Sequence, residues 1–390
     1  MKRQLLTIGS LWVCSLLFAH PCSSGQEMQW IDHVEMYTSK RPPVEKRLFR
    51  SEVVERVIEE TVTLLKNEKL KWMFANCFPN TLDTTVFYES EPEDDTFVVT
   101  GDIPAMWLRD SSAQVWPYLM YANEDERLRK MIRGVILRQF RLVLLDPYAN
   151  AFYRDLSGKG EWQNDRTPMR GGIHERKWEI DSLCYVVRLA YHYWKVTGDD
   201  SVFTAEWMQV VESILTVFKD QQRKENRGNY SFLRVTDRQY DTLSNDGYGN
   251  PVRANGLIAS SFRPSDDATV YPFLIPSNFF AVTSLRQMEE ILLKVNKNKA
   301  MARACNVLYM EVGEALKKHA IHKHPTYGKI YAFEVDGYGN QLCMDDANIP
   351  SLLALPYICD VKPSDRIYQN TRKYLLSLDN PYFFKGKYAE

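Results

Sequence analysis

The sequence predicts an all-α fold, and three observations carry that expectation. Apolar residues recur at helical spacing along most of the 390-residue chain, strand signals are few and short, and the helical stretches are joined by long polar loops rather than by alternating strands. About nine helices are expected by this reading. Charge is close to balanced, with Lys+Arg 49 against Asp+Glu 50, so nothing electrostatic favours nucleic acid or an anionic membrane as partner.

In chain order, Lys2 and Arg3 precede an apolar run over residues 5–19 and then small polar residues, which is the layout of a secretory signal peptide. Residues 1–25 are set aside on that basis, an exported product is expected, and residues 26–390 are read as one domain. Val54, Ile58, Val62 and Leu65 mark the first amphipathic face. Helices are then expected over residues 107–121, along the stripe Leu128, Met131, Ile132, Val135 and Leu142, over 181–195, and along Phe203, Trp207, Val210, Val211, Ile214 and Phe218. Four more cover residues 277–295, 299–319, 345–357 and 364–378. Strand signals are few and short, such as those at 96–100 and 330–335.

Past the signal segment the cysteines are Cys77, Cys184, Cys305, Cys343 and Cys359, odd in number, widely spaced and in apolar company, so core thiols are expected rather than a disulfide framework. His319, His322 and His324 have a metal-like spacing, but the first closes a helix and the others fall in a predicted Lys-rich loop, so no metal site is expected. The pentapeptide Asp-Gly-Tyr-Gly-Asn occurs at 246–250 and again at 336–340. Two tight turns are the direct reading, and two turns edging one pocket is the functional one.

Four polar clusters stand at the start of predicted helices. In GDIPAMWLRDSSAQ, Asp110 can cap a helix, but Arg109 beside it offers a fork of donors next to an acceptor, suited to adjacent sugar hydroxyls, with Trp107 as a flat apolar face. In HERKWEIDSLCY, Glu175 and Glu179 share a face if the helix starts early; if it starts later, Glu179 lies in the preceding loop and Asp181 is the cap. RPSDDA sets Asp266 beside Asp267 after Arg263, either as a solvated turn or as a pair kept for acid chemistry. MDDANIPSLL places Asp345 and Asp346 ahead of another helix, where capping is the simpler account. In a helical barrel such entrances converge on one cavity. Acids, one Arg and aromatics together suit a carbohydrate better than a phosphate or a metal, and no phosphate loop, nucleophile elbow or Cys-x-x-Cys pair competes.

FANCFPNTLDTTV, TGDIPAMWLRDSSAQ, DPYANAF, EIDSLCY, RPSDDA, IPSN, DGYGN and MDDANIPSLL, in that order, closely resemble glycoside hydrolase family 125 from about residue 45 onward. The resemblance implies an (α/α)6 barrel of twelve helices and an exo-acting, inverting α-1,6-mannosidase that needs no metal or other cofactor. The implied substrate is a mannoside oligosaccharide or N-glycan. It implies that Asp266 is the general acid and that Arg109 and Asp110 grip the terminal mannose. By motif position, Trp107, Glu179, Asp181, Arg263 and Asp345 join them in binding substrate. The family's base segment lies downstream of MDDANIPSLL and has no counterpart before Glu390, so the expectation is a barrel with about nine of twelve helices present and roughly 80 to 100 residues missing. Without that base the chain is expected to turn over slowly or to act as a mannose-binding protein. Neither Asp345 nor Glu334 is expected to replace it.

Overall fold

The computed structural model describes residues 37–386. The expected signal segment lies outside them. Helices α1 (Glu52–Leu64), α2 (Glu68–Cys77) and α3 (Asn80–Thr84) open the fold, and the antiparallel hairpin β1 (Val86–Glu89) and β2 (Asp95–Val98) follows. Strand β3 (Met106–Trp107) runs directly into α4 (Leu108–Val115), and β4 (Ala151–Phe152) follows α5 (Glu126–Leu145). β5 (Ile173–Glu175) precedes α6 (Ile180–Thr197), and α7 (Ala205–Gln221) comes next. β6 (Phe273–Leu274) runs into α8 (Ile275–Lys294), which is followed by α9 (Lys299–His319). The remainder comprises β7 (Ile321–His324), β8 (Gly328–Tyr331), β9 (Glu334–Val335), β10 (Gln341–Leu342), α10 (Leu355–Ile358) and α11 (Arg366–Leu375).

The helices form two layers. α4, α6 and α8 pack side by side, while α5, α7 and α9 pack outside them. Burial explains which helix goes where. Every residue from Ile180 to Ala190 of α6 is buried, so that helix needs protein on all sides. α5 instead buries one stripe, Leu128, Met131, Ile132, Val135 and Leu142 among it, and begins where Asp125 accepts the amide of Leu128. Between α5 and α7, Trp207 packs tilted against Phe140 at 5.3 Å and edge-on to Phe203 at 5.2 Å. This alternation of inner and outer helices is an α/α-barrel architecture.

Short strands brace the entrances of the inner helices. β3, β4 and β5 form one sheet, with Met106 opposite Phe152 and Ala151 opposite Glu175. β6, β9 and β10 form another, with Leu274 opposite Glu334. The first sheet holds the start of α4 against the approach to α6, and the amides of Ser261 and Phe262 donate to the carbonyl of Trp178, which ties the segment leading to α8 to the same approach.

Several expectations change. The helix expected over 107–121 is α4 alone, after which the chain tightens into a 3-10 segment containing Pro117 (Trp116–Tyr121). The helix expected over 345–357 shrinks to α10. Pro350 lacks an amide proton, and the Asp345 carboxylate captures the amides of Leu352 and Leu353, holding the chain in irregular form. α2 and α3 were not foreseen, and 330–335 divides into β8 and β9. His322 and His324 lie in β7, not in a loop; one imidazole pairs with Gln341 and the other accepts the amide of Thr326. Cys77 is exposed, whereas Cys184 and Cys305 are core thiols as expected.

The repeated pentapeptides are tight turns. Gly337 has φ +80° and passes so close to Arg253 that a Cβ would sit 2.1 Å from its carbonyl oxygen.

One close approach gives a direct test of the packing. At Gly134 in α5 a Cβ would lie 2.4 Å from Thr96 Oγ1, and that hydroxyl is itself buried and donates to the carbonyl of Met131. Gly134→Val is expected to lower unfolding stability by about 1–3 kcal/mol through overpacking, despite removing a helix glycine. Urea denaturation checks this; unchanged or higher stability contradicts the close packing.

Candidate active site

The site assembles at the strand-tied entrances. The Leu108 amide, where α4 begins, donates to the carbonyl of buried Asn150 at 3.0 Å. The Asn150 side chain donates to Glu175 at 3.0 Å and accepts the amide of Lys177 at 3.0 Å. One asparagine therefore sets the position of α4 relative to the approach to α6.

α6 starts at Ile180, so the helix begins late, as in the second alternative, but Glu179 rather than Asp181 occupies the cap position and Asp181 stands inside the first turn. Glu175 belongs to β5. Arg109, in the first turn of α4, crosses to α6: Nη1 is 2.6 Å from Glu179 Oε2 and 3.2 Å from Asp181 Oδ2. Its Nε lies 3.5 Å from Asp110 Oδ2, and Nη2 is 3.8 Å from Asp266 Oδ1. One guanidinium thus stands among four carboxylates. Glu179 and Asp181 are fully buried, while Asp110 and Asp266 are partly open, with 34% and 40% of their side chains exposed.

Electrostatics follow from that arrangement. Burial pushes the Glu179 carboxyl well above its ordinary range; Arg109 opposes this, and Asp266 and Asp181 add to it. Burial likewise raises Asp181 against the pull of Arg109. Burial by itself disfavours the Arg109 charge, but the surrounding carboxylates outweigh it and hold the guanidinium more firmly protonated. Glu179 Oε1 and Asp266 Oδ1 are both buried oxygens without a hydrogen-bond partner, and Asp266 is among the groups that raise the Glu179 carboxyl.

Asp266 sits in the turn after Arg263, with its backbone in the left-handed region at φ 66°. Its amide donates to the carbonyl of Arg263, and the Arg263 amide donates to that of Asp267. The Arg263 side chain turns away from Arg109 and pairs with buried Glu334 at 2.6 Å. The other Glu334 oxygen accepts the amides of Val270 and Tyr271, both at 3.0 Å. Asp267 is raised by burial, against Arg263 and with Asp346.

The structure therefore brings Arg109, Asp110, Glu179, Asp181 and Asp266 together. Arg263 supports the same turn from behind. Asp345 stands outside the cluster: its two oxygens hold the amides of Leu352 and Leu353, and burial lifts its pKa to about 7. Trp107 is 6% exposed and packs edge-on to His174 at 5.2 Å, a wall of the site rather than an open plate. Beside Arg109 and Asp110 opens a cavity of roughly 350 Å³, bordered by Trp116, Tyr185, Arg188 and Tyr357, within the range of small-molecule sites. Glu334, Lys177 and Asp241 were not singled out as site residues from the sequence, and no local pattern marks them.

Carboxylates crowded around one guanidinium at the mouth of a helical barrel handle hydroxyls and glycosidic oxygens, and the chain is a glycoside hydrolase. The family model for metal-independent α-mannosidases (GH125) matches residues 67–390, and the chain belongs to that family. A curated relative, the meiotically up-regulated gene 157 protein of Schizosaccharomyces pombe, is 42% identical over 367 residues, covering 89% of this chain and 72% of the relative. A solved Streptococcus pneumoniae structure, from work on metal-independent α-mannosidases and N-linked glycan processing, is a non-productive complex with α-1,6-mannobiose. It aligns with TM-score 0.83 at 44% identity over 88% of this chain and 80% of its own.

The raised Glu179 has a consequence for stability. A carboxyl lifted on folding stabilises fully below its ordinary value of 4.5, and that contribution is lost as pH rises through its folded-state value. Glu179→Gln removes the dependence, so its melting temperature relative to wild type is expected to climb as pH is raised above 4.5. A flat or falling difference in thermal melts speaks against a raised Glu179.

Proposed function

We propose that this α-mannosidase removes non-reducing terminal mannose by an exo-acting, inverting mechanism, with α-1,6-linked mannosides as substrates and Asp266 as proton donor. The observation that carries the reading is the placement of Asp266: partly open, with its carboxyl 3.8 Å from Arg109 Nη2 in the cluster that holds buried Glu179. The α-1,6-mannobiose in the S. pneumoniae structure supports the linkage. The apolar N-terminal run supports an exported enzyme acting on extracellular or lumenal glycans.

In this reading Arg109 and Asp110 orient hydroxyls of the terminal sugar beside the cavity. Asp266 gives its proton to the glycosidic oxygen as the bond to the anomeric carbon breaks. Inversion further requires water to attack the opposite face of the ring, with a second carboxylate about 6.5 to 9.5 Å from the first to take the water's proton. Glu334 and Asp345 are not proposed for that role, because both oxygens of each are taken up, by Arg263 and backbone amides in one case and by amides alone in the other.

Two experiments test this. Proton NMR of α-1,6-mannobiose hydrolysis is expected to show β-mannose as the first product, with α-mannose growing in only by mutarotation; α-mannose first would exclude inversion. Asp266→Asn is expected to lower kcat about 10²- to 10⁴-fold while mannobiose still binds, as for loss of a general acid. A variant with full turnover sinks the assignment.

A further inference from the structure

Behind the Asp266 turn lies a second charged network that does not touch Arg109. Lys177 is 4% exposed, and its ammonium donates to Asp241 at 2.7 Å and to the backbone carbonyl of Asp266 at 3.0 Å, with Glu175 at 3.6 Å and the Phe262 ring at 5.2 Å. Arg234, also buried, binds Asp165 through two nitrogens at 2.9 and 2.7 Å and reaches Glu175 at 3.0 Å and Asp241 at 3.1 Å, beneath the Trp162 ring at 3.7 Å. Two cations and three carboxylates thus link β5, the segment before α6, the loop holding Asp241 and the Asp266 turn.

A buried lysine is costly unless its charge is met, and neutralising Glu175 and Asp241 is one reason for its presence. That reason alone does not account for the bond to the Asp266 carbonyl. Asp266 at φ 66° lies in the left-handed region, which aspartate enters more readily than most residues but which is still uncommon, so the contacts around the turn decide whether it is kept. The Lys177 ammonium grips the peptide unit that the left-handed turn presents. Arg263 and Glu334 brace the flanking residues, and the Ala268 amide donates to the carbonyl of Tyr240, next to Asp241.

We propose that Lys177, oriented by Asp241 and Glu175, is the positioning residue for the acid: by holding the Asp266 carbonyl it maintains the left-handed turn that aims the carboxyl at Arg109 and Glu179. This rests on the reading of Asp266 as proton donor. The ammonium stays charged in place, because burial disfavours the charge but Glu175, Asp266 and Asp241 together outweigh it. Its role is confined to the step in which the leaving oxygen is protonated, and that confinement makes it testable.

The experiment compares Lys177→Met, Lys177→Arg and Asp266→Asn on two substrates, α-1,6-mannobiose and 2,4-dinitrophenyl α-mannoside, whose leaving group departs without a proton. For Lys177→Met, kcat on mannobiose is expected to fall by up to about 100-fold, the scale of a 1 Å misplacement, with KM little changed and dinitrophenyl mannoside turnover nearly retained. Lys177→Arg is expected to recover part of the loss, and a crystal structure of Lys177→Met to show Asp266 out of the left-handed region. Equal losses on both substrates, no loss on either, or an unmoved Asp266 overturns the positioning role. If Lys177→Met does not fold, Asp241→Asn takes its place with the same expected substrate split and the same overturning results. Asp266→Asn separates the two levels: should it keep mannobiose turnover, the acid reading falls and the inference with it, whereas its failure on mannobiose beside an unselective Lys177→Met removes Lys177 alone.

Discussion

Arg109 and the carboxylates around it are the interaction on which the rest of the site depends. Glu179 and Asp181 have no exposed side-chain surface, and two ionised acids there would repel in a medium that screens poorly. The guanidinium at 2.6 and 3.2 Å makes that burial tolerable, and its planar fork also reaches Asp110 and Asp266. α4, α6 and the Asp266 turn are therefore bound by one charge. Lysine has a single ammonium and could not address four carboxylates with that geometry.

A buried ion cluster is weak evidence for stability but strong evidence for a defined arrangement, because each partner requires the others in place. Here the arrangement is supported in layers. Asn150 joins the start of α4 to the approach to α6, while short strands align the entrances of α4 and α6 and the Trp178 carbonyl ties in the segment leading to α8. Arg263 with Glu334 braces the acid turn on one side, and Lys177 with Asp241 holds it on the other. The apolar barrel supplies rigidity, and the polar contacts decide where each carboxyl points.

The same logic separates carboxylates that act from those that hold. Asp110 keeps part of its surface open at the cavity, and Asp266 is partly open as well. Glu334 and Asp345 spend their acceptor capacity on Arg263 and on backbone amides, so each stabilises a loop. Composition and spacing do not distinguish these groups; hydrogen-bond accounting does.

The sequence by itself determined the helical class, because a stripe such as Leu128, Met131, Ile132, Val135 and Leu142 is a local periodicity that any packing must respect. It also marked Arg109, Asp110, Glu179, Asp181 and Asp266 as polar residues at helix entrances, and its ordered motifs pointed to the family that residues 67–390 match. Only the tertiary structure decided that Asp345 serves amides rather than the cluster, that residues 345–354 do not continue a helix, and that Lys177 grips the acid turn. The physical reason is separation along the chain. Lys177 meets Asp241 across 64 residues and Asp266 across 89, and Arg109 meets Glu179 across 70, distances over which no periodicity or spacing carries information. Those pairings exist because the barrel brings its helix entrances to one face, where the charges must find each other once water is excluded.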